Sequence, residues 1–482
     1  MSTLSPLYPS SLSYRQLRLL IILLTPVVVA ACATPMHCDE QAGEAYMDPR
    51  IGEPLLDEDG EPIPGSERFR VPGEETARSG HANPCLAMAP RLVEPPVPPA
   101  REVEEGASFA DVRYRLEVVD EDGFSDNAEA STFRLRVRGT TPRVGGFDAG
   151  LAFQTLQIVG EPRFEDTTDR PGNFPTVRDP KDTAVSEGWG RFVSREDTFE
   201  VKLGRQAIRH DNERFIGSDS FRQLEQTFNA FGLRIGTGER ARFLGQYIDR
   251  INTVLGPNHP DGLGRIDSRA AVLDLDTRIG DNRMGIYFHN LRFDEDEWES
   301  HRNYGLRLTG PVPWTETFSY RLEAAVQQGV RGEGPDDDLG YQHVKLKQEL
   351  DDWSWYVGRE RLGGDREWAF QTPLASLHEF NGKADRFLVT PEFGLIDVYA
   401  GVGFQRWGWD FDSRFHQFQV DQGSGRYGEE LSLGAGRELW GPLRLNLGLS
   451  HYMGEDPDFY PGDEYAADRT RAWFSVSARF EP

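Results

Sequence analysis

Residues 132 to 139 read TFRLRVRG. Side chains alternate between the two faces of a strand, so Arg134, Arg136 and Arg138 share one face and Phe133, Leu135 and Val137 the other. Successive arginines on such a face stand about 7 Å apart. Guanidinium groups at that interval suit weak, repeated contacts with carboxylates strung along a polyanion, so that a chain enters and still leaves. Each arginine has a competing use, an ion pair with a carboxylate of a neighbouring strand, and Glu117, Glu200 and Glu323 are placed for it. Arg205 and Arg209 form a second ladder if their strand stays regular through Ala207. A different chemistry is offered by His378 with Asn381 and Asp385, an acid–base set, and by Ser376 two residues before His378 on what would be one strand face. That pair has no defined third partner, and His378, Asn381 and Asp385 are read as holding the fold of a rim loop.

The elements that position these residues are strands. Alternation runs from Ala107 to the C-terminus and predicts about eighteen of them. They are expected near 108–119, 131–138, 147–158, 186–194, 197–206, 227–236, 240–251, 267–278, 282–293, 302–310, 318–328, 339–350, 353–361, 394–404, 411–420, 427–438, 443–452 and 469–480. In LRLNLGLS, Leu443, Leu445, Leu447 and Leu449 line one face, and the closing strand TRAWFSVSARFEP is amphipathic and ends near Phe480. A soluble sandwich would also alternate, but its outer face normally mixes signs and hydroxyls instead of presenting rows of arginine. The reading is all-β: a closed antiparallel transmembrane barrel of 16 to 18 strands over residues 107–482. Its apolar faces meet lipid, because an arginine at the bilayer midplane costs on the order of 2 to 4 kcal/mol in a barrel. By parity Arg134, Arg136, Arg138, Arg191, Lys202, Arg234, Arg307, Arg321, Lys345, Lys347, Arg444 and Arg479 then fall in the lumen.

The chain has 482 residues and a formal net charge of -26, which excludes nucleic acid as a partner because phosphate contacts need a basic footprint. Much of the acid lies in loops such as GEGPDDDLG and DEDEWES. Arg15 and Arg18 precede the apolar run LLIILLTPVVVAACA, an export signal over residues 1–33. Two cleavages fit, one of which makes Cys32 a lipidated N-terminus. Residues 34–106 are rich in Pro and acid and read as a periplasmic extension, with Cys38 and Cys85 as a disulfide pair. No P-loop, dinucleotide fingerprint, zinc spacing or haem motif occurs, and no cofactor is expected.

Two long segments resemble the alginate export family of outer-membrane channels: LGRQAIRHDNERFIGSDSFRQLEQTFNAFGLRI from Leu203 and FQTPLASLHEFNGKADRFLVTPEFGLIDVY from Phe370. Weaker matches are FHQFQVDQGSGRYGEELSL and the closing strand, so the resemblance covers about residues 107 to 480. Lys383 and Asn229 depart from it. The resemblance implies an eighteen-stranded barrel with lumenal arginines that passes an anionic uronate polysaccharide such as alginate, in the export direction, with outer-membrane lipid and periplasmic export machinery as partners. It gives Arg205, Arg209 and Arg234 the first claim on substrate, beside Arg134, Arg136, Arg307, Arg321 and Arg444. The alternative is a porin that takes up acidic oligosaccharides. An outer-membrane hydrolase and a surface adhesin are the readings from other classes; no enzymatic activity is expected.

Overall fold

A computed structural model describes residues 108–168, 173–237, 240–294, 298–330, 338–455 and 465–481. The expectations for Cys32, Cys38 and Cys85, for the signal over 1–33 and for the extension over 34–106 lie outside the described residues. Eighteen strands form one antiparallel sheet. They are β1 (Phe109–Glu121), β2 (Ala128–Thr140), β3 (Phe147–Ile158), β4 (Asp182–Val193), β5 (Phe199–Gln206) and β6 (Thr227–Ile235). Next come β7 (Ala241–Asn252), β8 (Arg265–Ile279), β9 (Asn282–Leu291), β10 (His301–Pro311), β11 (Phe318–Gly329) and β12 (Leu339–Glu349). The circuit ends with β13 (Trp353–Leu362), β14 (Leu395–Arg406), β15 (Trp409–Val420), β16 (Arg426–Glu438), β17 (Leu443–Gly454) and β18 (Arg469–Phe480). Each strand pairs with its sequence neighbours, and β1 pairs with β18 over twelve residues from Ala110↔Phe480 to Glu121↔Arg469, which closes the barrel and leaves no edge.

The two rims differ. Connections after even-numbered strands are short: Gly280 (φ +61°) opens the two-residue link from β8 to β9, and Trp407 and Gly408, both at positive φ, make the link from β14 to β15. Such left-handed positions match the twist of a hairpin. The long connections all follow odd-numbered strands, notably 159–181, 207–226 and 363–394. In outer-membrane barrels the long loops face outward from the cell and the short turns face the periplasm.

The interior is inverted relative to a soluble protein. Arg115 and Arg471 are among the largest fully buried side chains, each 1% exposed, whereas Leu203, Phe153 and Leu306 are 62%, 53% and 50% exposed on the outside. A charged interior and an apolar exterior are compatible only with lipid around the barrel. Inward-facing residues are apolar chiefly at the long-loop ends of the strands: Phe228, Ile251, Leu291, Tyr341, Leu362, Leu395, Phe418 and Tyr452 belong to one buried cluster. The loops 207–226 and 363–394 contribute Ile208, Phe215, Ile216, Phe370, Leu374 and Phe387 to it. Burying each of the larger of these side chains favours the inward-folded loop by about 1.5 to 3 kcal/mol. A smaller cluster holds Phe164 and Val177 of the loop 159–181 against Val119, Ala128 and Ala130.

Candidate functional site

Apolar residues pull the two long loops into the lumen, and polar bonds then fix them to each other. Gly217 N donates to Leu374 O at 2.8 Å, Ser376 N to Glu213 O at 3.0 Å, and Asp219 N to Ser376 Oγ at 2.9 Å. Ser376 Oγ donates to Glu213 Oε2 at 2.5 Å. Ser376 therefore ties two backbones together, and Leu377–Glu379 forms a 3₁₀ turn, so Ser376 and His378 do not lie on a strand face as expected. His378, Asn381 and Asp385 sit inside the barrel, not in a rim loop, because their loop carries the apolar anchors Phe370, Leu374 and Phe387.

Those three residues dock the loops to the wall. His378 Nδ1 lies 2.6 Å from Asp385 Oδ1, and its ring stacks on Phe221 with centroids 3.4 Å apart. Asp385 Oδ2 accepts from Arg222 of the other loop and from Arg471 of β18. Arg214 donates to Glu360 of β13 at 2.8 Å, to Thr372 at 2.9 Å and to Asn381 at 3.0 Å. Arg113 and Arg115 of β1 donate to the carbonyl of Phe221, and Arg115 also reaches Asp179 of the loop 159–181.

Of the predicted site residues, Arg134, Arg136, Arg234, Arg307, Arg321 and Arg444 stand at inward-facing strand positions. Each has a carboxylate partner. Arg134 pairs with Asp111, Arg136 with Glu187 and with Glu225 of the inward loop, and Arg321 with Asp211 and with Glu323 at 2.5 Å. Arg307 meets Asp276 at 2.8 Å and Asp211 at 3.3 Å, Arg234 meets Asp197 at 2.7 Å and Glu200 at 3.2 Å, and Arg444 meets Asp410 at 3.3 Å. The ion-pair use of each arginine is thus present throughout.

Arg205 and Arg209 need correction. β5 ends at Gln206, where the chain turns into the lumen, so no ladder continues through Ala207. Gly204, opposite Trp189, and Lys202 face inward; Arg205 stands on the other face, opposite Gly188, and its guanidinium donates to Asn229 Oδ1 at 3.1 Å and Val185 O at 2.8 Å. Arg209 lies in the loop, donating to Glu225 at 2.7 Å and to Ser218 Oγ at 2.6 Å.

The loop charges respond to this packing. Burial raises the Glu225 carboxyl, but Arg136 and Arg209 outweigh it and hold it down at about 2. Burial likewise opposes ionisation of Asp385, yet Arg471, His378 and Arg222 keep it well below the usual carboxylate range. Asp219 lacks enough compensation: burial, against the pull of Arg222 and with the push of Asp385 and Glu379, lifts it to about 7. Burial lowers His378 to about 3 despite Asp385, so the imidazole is neutral and positions Asp385 instead of exchanging protons near neutrality.

The arginines 113, 115, 214, 222 and 471 and the carboxylates 179, 187, 360 and 385 build the site without having been singled out as substrate ligands. One signal was available for the loop members. A 20-residue connection holding Ile208, Phe215 and Ile216 is too long for a turn and too apolar for a solvated loop.

No protein-family model matches the chain, and no curated protein sequence matches it. Solved structures do. The chain is similar to the outer membrane protein OpdK of Pseudomonas aeruginosa, with TM-score 0.55 and 16% identity over 77% of this chain and 99% of that one. It is similar to OccAB2 of Acinetobacter baumannii, with TM-score 0.60 and 13% identity over 78% and 98%. A third is the structure of Pseudomonas aeruginosa OpdK with vanillate, with TM-score 0.56 and 15% identity over 77% and 98%. At these identities the likeness is one of fold. The likeness to the alginate export family drawn from the two segments finds no matching family model; the coarser class holds. The chain is an integral β-barrel of the outer membrane with porin-like architecture.

Proposed function

We propose that this barrel is a porin for the uptake of small acidic solutes, mono- or oligosaccharide acids or other carboxylates, and not an exporter of a uronate polymer. The observation that carries this reading is the pair of inward loops. They are bonded to each other at Gly217, Ser376 and Asp219 and to the wall at Asp385 and Arg214, so they narrow the lumen with a fixed structure. A polymer moving hand over hand needs rows of available cations, whereas here the rows are neutralised one residue at a time. Below the loops, toward the short-turn rim, Arg134, Arg136, Arg138 and Arg479 cluster around Asp111 and the ring of Phe109. This wall attracts a small anion without trapping it, because each guanidinium already shares its charge with a carboxylate. Vanillate, which accompanies one similar barrel, is itself a small carboxylate.

The test is a planar-bilayer reversal potential in a salt gradient, together with liposome uptake of galacturonate, its trimer and long alginate. Anion preference, passage of the first two solutes and exclusion of the polymer are expected. Arg134→Glu with Arg136→Glu lowers the anion-to-cation permeability ratio, and raising salt weakens the native preference. A cation-selective native channel, or free entry of the polymer, defeats this reading.

A further inference from the structure

The displaced Arg205 belongs to a second cationic feature, on the outside of the barrel. Moving up the outward face toward the long-loop rim, Leu203 gives way to Arg205 on β5 and Tyr247 to Arg250 on β7. On β8 the outward row passes from Leu273 through Ala271 to Arg269, Asp267 and Arg265. Arg250 owes its orientation to an irregularity: the register shifts at Ile248/Arg250 against both neighbouring strands, so Asp249 is the extra residue and Arg250 emerges beside Asn229, the partner of Arg205. A bulge of this kind re-aims a side chain. The opposite rim is different, with Trp314, Trp407 and Trp440 exposed in its short turns.

We propose that Arg205, Arg250 and Arg265 form a site for the phosphate of an anionic lipid headgroup in the outer leaflet. Three observations support it. Strand register sets Arg205 opposite Asn229, Asn229 opposite Arg250, and Arg250 opposite Asp267, two residues from Arg265, so the three arginines share one region of the wall. Arg205 and Arg265 line one cavity, together with Thr227, Asn252 and Thr253. The Arg205 bonds use Nε and one terminal nitrogen; the other terminal nitrogen donates to no group among the described residues. The carboxylates nearby are accounted for. Asp267 accepts from Arg250 at 2.6 Å, Asp182 accepts from Thr183 N at 2.6 Å and from Asn258 at 3.2 Å, and Glu225, which also lines the cavity, is turned to Arg136 and Arg209. Asp249 is exposed next to Arg250. A phosphate on a lipid is the occupant that suits this placement, because the cations begin where the apolar band ends and basic groups at that level attract anionic headgroups.

The experiment is native mass spectrometry and thermal shift on the detergent-solubilised full chain, titrated with bisphosphorylated lipid A, with dephosphorylated lipid A and with inorganic phosphate. Bisphosphorylated lipid A is expected to bind and to raise the unfolding temperature; the dephosphorylated form is expected to do neither. The variant R205Q/R250Q/R265Q should bind about a hundredfold more weakly, a factor of roughly five for each arginine, while still migrating as a heat-modifiable barrel. If that variant does not fold, R250Q and R265Q singly carry the same test. Undiminished binding by the variants, or equal binding of the dephosphorylated lipid, overturns the site. Full displacement of the lipid by millimolar inorganic phosphate overturns the assignment to lipid.

Discussion

Replacing Asp385 by Asn should unlock the lumen without unfolding the barrel. Asp385 is fully buried and accepts from His378 at 2.6 Å, from Arg222 of one loop and from Arg471 of the wall; those three side chains are 1%, 3% and 1% exposed. The substitution keeps the shape and removes the charge, leaving two buried guanidiniums with Glu117 at 3.8 Å and 3.4 Å as the nearest remaining counterion. Deleting one partner of a buried pair costs about 3 to 5 kcal/mol because the other charge stays desolvated. Here the penalty falls on the docked state of the loops, since an undocked Arg222 regains water, so the undocked population should rise about a hundredfold or more. Single-channel recording reads this as frequent excursions to higher conductance, and hydrogen exchange reads it as lost protection of the segment 371–386. Arg222→Met added to Asp385→Asn should recover much of the loss, because it removes the stranded charge. Native-like conductance and exchange in Asp385→Asn, or strict additivity of the pair, would refute the lock.

Two further outcomes follow from the same region and its border. The Asp219 carboxyl, lifted to about 7 from an ordinary 3.8, binds more protons in the docked loop than when exposed. The docked state therefore loses stability as pH rises from about 4 through 7, on the order of 4 kcal/mol at most. His378, lowered to about 3, works in the opposite sense below about 6.5 and offsets most of that loss, so the net change falls between about pH 6.5 and 7 and levels off above it. Open excursions should increase between pH 6 and 8, and Asp219→Asn should flatten that dependence; a flat native profile sinks it. At the border, Gly204 has φ +122°, and an added Cβ would lie 2.3 Å from Gly188 O and 3.0 Å from Trp189 Cα. Gly204→Ala should cost about 1 to 3 kcal/mol in urea unfolding, whereas Gly190→Ala, which meets nothing within 4 Å, should change little. Equal midpoints for the two variants would show that the backbone at Gly204 is relaxed.

What was legible in the sequence is what period two can carry. Strands are half-buried between lipid and lumen, so Phe133, Leu135 and Val137 against Arg134, Arg136 and Arg138 write the wall directly, and eighteen such stretches wrote the barrel. Parity was right at Arg205, since counted from Lys202 it sets the residue on the Leu203 face where it stands, and only the family resemblance had given it to the lumen. Parity also misplaced nothing at Arg307 or Arg321, which sit mid-strand with neighbours on both sides. The loops were harder still, because their contacts join residues 163 and 157 positions apart, Arg222 to Asp385 and Asp219 to Ser376, with no local period to announce them. Their one visible trace was composition, since Ile216, Phe215 and Leu374 had no strand to face yet needed burial. In a barrel, where the wall is already paired and its outside belongs to lipid, the lumen is the place left for such residues, and the charges on the same loops then meet whatever the wall presents. That is how arginines readable as substrate ligands became partners of the loops: Glu225 and Asp385 reach Arg136 and Arg471 before any solute does, and selectivity rests on the charge these pairs leave over.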